Sequence, residues 1–153
     1  MISILFLGNS IYSDDKIALI VGEKLKDRLE ADGFEVKFFE RSGYALIDQF
    51  LDKEIVLIVD SVLGEVGKVF LIEKVEEITK LQNFSHYAGI SGAVQFIRAL
   101  NPFQPKIFIV GIGVKNPYTV SESISQELEM KIEKIADDIY NIIRDIFKAK
   151  LTK

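Results

Sequence analysis

The chain contains no cysteine, and His86 is the only histidine in 153 residues. Without thiols there is no disulfide, no cysteine nucleophile and no thiolate ligand, so a bound metal has to use nitrogen and oxygen. The absence leaves the redox compartment undecided. Long apolar runs are missing as well. The longest, Ile55 to Val59 and Ile107 to Val114, fall far short of the roughly 20 residues of a membrane helix. No basic segment precedes an apolar one at Met1-Ile2-Ser3-Ile4 and no cleavage signature follows, so a cytoplasmic protein is expected. There is no excess of positive charge: the net charge is −4, with an isoelectric point near 5.1 and no Lys/Arg stripe. That argues against a backbone-driven nucleic-acid binder. Gly-x-Gly-x-x-Gly is absent, and Asp14 and Asp15 behind Gly8-Asn9 would repel a phosphate, which disfavours nucleotide binding. There is no Gly-x-Ser-x-Gly elbow, and Ser85 beside His86 is expected to cap a helix rather than to attack a carbonyl.

What is present is the balance of a soluble globular protein, with 48% hydrophobic and 27% charged residues. The length suits one domain over residues 1–153, expected to be a monomer. Ile2 to Leu7 reads as a buried parallel strand stopped by Gly8-Asn9. A loop then leads to a helix marked by Ile17, Ile20, Val21, Leu25 and Leu29 and closed at Asp32-Gly33. Phe34 to Glu40 predicts a second strand, and Ala45 to Leu51 a short helix. Glu54 to Val59 predicts the central strand, ended by Asp60, and Lys68 to Ile72 another short strand. Glu73 to Asn83 reads as loop. Ile90, Ala93, Val94, Ile97 and Leu100 mark a helix stopped at Asn101-Pro102, after which Ile107 to Val110 runs as a strand into Gly111-Ile112-Gly113. That glycine pair suits a tight turn or a close backbone approach. A long helix over Ser123 to Lys148 carries Leu128, Ile132, Ile135, Ile139, Ile142 and Ile143 at period 3.6.

The alternation predicts an α/β three-layer sandwich, a mostly parallel sheet of about five strands with helices on both faces, phosphorylase/hydrolase-like. In such folds ligands gather beyond the carboxyl ends of the strands. Asp14 and Asp15 follow the first strand, Asp60 ends the third and His86 opens a later helix, so all fall at that edge. Two carboxylates and an imidazole supply a nitrogen and oxygen donor set for a divalent transition metal. Singly each has a plainer role: a charge at a helix N-terminus, a loop cap, a first-turn residue. Tyr12, Tyr87 and Tyr118 fall in loops near the same edge and suit a substrate groove.

Ile4-Leu5-Phe6-Leu7-Gly8-Asn9 followed by Asp14-Asp15 resembles the opening motif of the hydrogenase maturation protease family. Leu57-Ile58-Val59-Asp60, Ser85-His86-Tyr87-Ala88-Gly89 and Val110-Gly111-Ile112-Gly113 then resemble its later motifs in order, over nearly the whole chain. Phe6, Lys16 and Ala18 stand where that family commonly has glycine.

The resemblance implies an aspartic-type endopeptidase that removes a C-terminal extension from the large-subunit precursor of a nickel-iron hydrogenase after nickel insertion. The precursor would be the partner, and the nickel would come with it. Asp15, Asp60 and His86 would contact that nickel, and Asp15 or Asp60 would be base as well as ligand. Gly43 matches a supporting glycine near the cleft. Two other readings stay open: a non-catalytic checkpoint that binds the nickel-loaded precursor, motivated by Lys16 and the missing glycines, and a generic α/β ligand-binding protein.

Overall fold

The computed structural model describes residues 2–40, 44–73, 84–101, 105–115, 120–121 and 123–151. Gly43, Tyr118 and nearly all of the stretch read as loop at Glu73 to Asn83 lie outside them. Among the described residues five strands form one sheet: β1 (Ile2–Leu7), β2 (Glu35–Phe39), β3 (Ile55–Leu63), β4 (Val69–Ile72) and β5 (Lys106–Val114). The order is β2-β1-β3-β5-β4, with β4 antiparallel to β5 at one edge and the other pairings parallel. The α/β fold and its mostly parallel sheet are as expected, and β3 is indeed central.

Alternate residues of each inner strand enter two separate cores, which is why these strands are apolar on both faces. Ile4, Phe6, Leu57, Val59 and Val110 pack with α1 (Ile17–Ala31) and α5 (Ile132–Leu151). Leu5, Leu7, Val56, Ile58 and Ile109 pack with α2 (Tyr44–Phe50) and α3 (Tyr87–Leu100). Each fully buried Ile or Leu contributes about 2 kcal/mol relative to exposure.

The helix ends follow local chemistry. After α1, Gly33 takes φ +95°, its N–H bonding Glu30 O at 3.0 Å while Phe34 N–H reaches Leu29 O at 3.1 Å. This Schellman cap satisfies the last carbonyls.

The strands and helices depart from the sequence reading in several places. β3 does not end at Asp60 but continues to Leu63, because β5 pairs with it as far as Leu63 and Val114. Gly111 and Gly113 therefore lie inside β5 and mark close approach rather than a turn. A Cβ on Gly111 would sit 2.7 Å from the Phe70 ring, and one on Gly113 would run into the Glu65 carbonyl. The last helical stretch is broken into α4 (Gln126–Glu129) and α5, since Lys131 N–H tightens onto Leu128 O and its ammonium reaches Val66 O at 3.2 Å. Leu100 sits on α3 but is 64% exposed, beyond the end of the core its helix covers.

Candidate metal centre

The strand order reverses between the parallel strands β1 and β3: β1 is followed through α1 by β2 on one side, while β3 lies on the other. The carboxyl ends of two such strands open a crevice, the usual ligand position in an α/β sheet. β3 overhangs β1 here, since β1 ends at Leu7 while β3 runs on past Asp60. Phe84 and Ser85 enter beside the overhang, through a bridge to Val62 and a bond from Ser85 N–H to Ser61 O at 3.0 Å. That pairing delivers His86 to the crevice at the start of α3. From the other side, a single 3-10 turn at Asp14–Lys16 carries Asp15 in. Gly8 permits this, because a Cβ there would lie 2.6 Å from the Asp15 carbonyl.

Asp15, Asp60 and His86 meet, each offering a ligand atom within 4.8 Å of the other two. Asp60 is fully buried. Its Oδ1 contacts His86 Nδ1 at 2.8 Å and its Oδ2 accepts the His86 backbone N–H at 3.0 Å. An ionised Asp60 carboxylate can only accept, which puts a proton on Nδ1, and in the neutral imidazole that leaves the Nε2 lone pair open to a metal. Nε2 lies 3.8 Å from Asp15 Oδ2. The other oxygen of Asp15 accepts from Ser61 Oγ at 2.7 Å, and Ser61 Oγ lies 2.5 Å from Ser85 Oγ.

Burial pushes the Asp15 carboxyl up to about 6, against hydrogen bonds from Ser61 and Ser85 and the His86 charge. Burial raises Asp60 as well, opposed by its bonds to His86. Burial would lower His86, but the Asp60 hydrogen bond and the charges of Asp60 and Asp15 outweigh it and raise the imidazole above its ordinary value.

The other sequence candidates divide. Asp14, next to Asp15, faces away from the crevice and accepts from Ser125 N–H at 2.8 Å and Ser125 Oγ at 3.2 Å. Lys16 directs its ammonium to Ser121 O at 3.1 Å. Tyr12 bridges Val120, and Tyr87 begins α3. Ser85 is not the helix cap. His86 holds that position, and the Ser85 hydroxyl turns to Ser61 instead. Sequence reasoning missed Ser61, although two polar residues in a run of buried apolar ones were a signal. Ending the strand at Asp60 explained them away.

A family model described as "Hydrogenase maturation protease" matches residues 20–142, a span that includes Asp60 and His86. The chain belongs to the hydrogenase maturation protease family. Membership makes it a peptidase and accounts for the resemblance of its motifs. Protein FrxA of Pyrococcus furiosus is 28% identical over 138 residues, covering 86% of this chain and 97% of that protein. The fold matches the hydrogenase maturating endopeptidase HybD from E. coli with a TM-score of 0.78 at 18% identity, over 94% of this chain and 92% of the other. It matches the [NiFe] hydrogenase maturation protease HybD from Thermococcus kodakarensis with a TM-score of 0.71 at 22% identity, over 92% and 97%. Among the described residues of this family member, no helix is long and apolar enough to cross a membrane.

Proposed function

We propose that this protease removes the C-terminal extension of a nickel-iron hydrogenase large-subunit precursor, reading the precursor's nickel through Asp15, Asp60 and His86. The observation that carries the reading is the convergence of these three ligand atoms within 4.8 Å of one another in a crevice, in a member of this family. Three donors around one ion at about 2.1 Å lie roughly 3–4 Å apart, so the set closes when the three side chains draw inward. The donors suit nickel, which imidazole and carboxylate both bind. A substrate ion anchored there would hold the flanking chain in place, so that one peptide bond is presented for hydrolysis.

Either carboxylate can act as base as well as ligand, and the geometry favours Asp15. Asp60 has both oxygens committed to His86, whereas Asp15 directs Oδ2 across the crevice toward Nε2. A carboxyl poised near 6 also suits proton abstraction close to neutral pH. A groove lined by Leu19, Glu23, Phe38, Phe39, Glu40 and Ala45 is reached by Ser10 from the segment after β1, and its lining leaves out all three metal-site residues. It suits an extended segment of the precursor. The whole chain would work as one unit in the cytoplasm.

The checkpoint reading drew on Lys16 and on the missing glycines, and the bond from the Lys16 ammonium to Ser121 O weakens the first of these motives. The test is incubation with nickel-loaded precursor. The wild type is expected to shorten it, and Asp15→Asn and His86→Ala to leave it whole; intact precursor with every form, under conditions in which a control protease cuts its own, overturns the reading.

A further inference from the structure

Asp60 and Ser61 are consecutive in β3, so their side chains leave opposite faces of the sheet. Asp60 grips His86 on the α3 side, while Ser61 reaches Asp15, which enters ahead of α1. Asp15 and His86 are thus each gripped by one member of a fully buried dipeptide. A carboxylate on a short stem can rotate. The hydroxyl of Ser61, 2.7 Å from Oδ1, leaves Oδ2 as the oxygen toward His86 Nε2. Ser61 has little freedom itself, because β5 pairs with it at Ile112 and Ser85 closes on its Oγ at 2.5 Å.

We propose that Ser61 is a positioning residue for Asp15, fixing which carboxylate oxygen is offered to the metal. This rests on the metal-reading function proposed above. Groups that orient a metal ligand are worth about 10- to 100-fold in affinity or activity when removed. Ser61 acts through Asp15 and does not touch the ion.

The test uses the full chain as wild type, Ser61→Ala and Ser61→Thr, titrated with nickel chloride by calorimetry. In parallel, the Asp15 carboxyl carbon resonance of the metal-free proteins is recorded at one fixed pH. Ser61→Ala is expected to bind nickel at least about tenfold more weakly and to displace the Asp15 resonance, with Ser61→Thr restoring both. A merely structural role would not be rescued by threonine, which adds a methyl group to a fully buried position. Wild-type affinity together with an unmoved resonance in Ser61→Ala overturns the inference. If the wild type itself takes up no nickel, the metal reading is what fails, and the resonance alone decides for or against Ser61.

Discussion

Asp60 holds His86 with both of its oxygens, Oδ1 at the ring Nδ1 and Oδ2 at the backbone N–H. The second contact fixes the carboxylate as it fixes the start of α3, so the first cannot turn without breaking a backbone bond. Asp60→Asn therefore has a defined consequence. The amide oxygen has to take the backbone N–H, which leaves the NH2 donating to Nδ1 and drives the imidazole to the tautomer protonated at Nε2. Nickel affinity should fall about 10- to 100-fold. Nitrogen resonances of His86 report the tautomer directly, and an Nδ1-protonated ring in the variant would sink the argument.

The raised carboxyl of Asp15 makes a prediction about pH. Its folded value is about 6, against 3.8 for the unfolded chain, so burying the ionised form costs stability. The cost is fully present above pH 6 and disappears as pH falls through 6 toward 3.8. Asp15→Asn should thus stabilise the metal-free protein at pH 8, by at most about 3 kcal/mol, and lose its advantage near pH 4. His86 is raised too, so its contribution is present at low pH and is lost as pH rises through its folded value. Thermal melts of wild type and Asp15→Asn across this range check the sign. A variant less stable at pH 8 contradicts it.

Metal binding should follow the opposite course. Nickel needs Asp15 ionised and His86 Nε2 unprotonated, so affinity is expected to weaken as pH drops from 8 toward 6, and further below it. Calorimetry at several pH values should also register proton release on binding; pH-independent affinity would count against these ligands.

Gly111 lies opposite Asp60 in the sheet. A methyl group there meets the rings of Phe70 and Phe84, and Phe84 leads directly into Ser85 and His86. Gly111→Ala should cost about 1–3 kcal/mol through overpacking and weaken nickel binding through the displaced His86. Urea unfolding measures the first effect, and an unchanged midpoint would show that the rings yield freely.

Asp14 anchors the segment before α4 through Ser125. Asp14→Ala leaves a partly buried N–H without its acceptor, at about 1–3 kcal/mol. Amide exchange at Ser125 should quicken before exchange in the β3 core does. Equal protection in both proteins would assign the anchoring elsewhere.

Much of this molecule was legible along the chain. Apolar runs rich in β-branched residues, such as Ile55 to Val59, read as strands covered on both faces, and alternating them with amphipathic helices leaves few topologies other than a parallel sheet. Asp15, Asp60 and His86 could be placed at one edge because that edge is where strands hand over to helices. Boundaries were less legible. β3 outruns its apolar run and β5 outruns the strand read at Ile107 to Val110 because each pairs with the other, and pairing is not written in either strand alone. The break before α5 keeps the hydrophobic period intact, so periodicity could not reveal it.

The amino-acid sequence by itself determined the α/β class, the nitrogen and oxygen character of any metal site, and the order of motifs that marks the family. These depend on residue type and spacing, which are local. Only the tertiary structure decided that Asp14 and Asp15 part company, that Ser85 turns to Ser61 instead of capping its helix, and that Ser61 stands behind Asp15. Each of those outcomes is a hydrogen bond between residues at least 24 apart in the chain, set by strand register and by which face of β3 a side chain leaves.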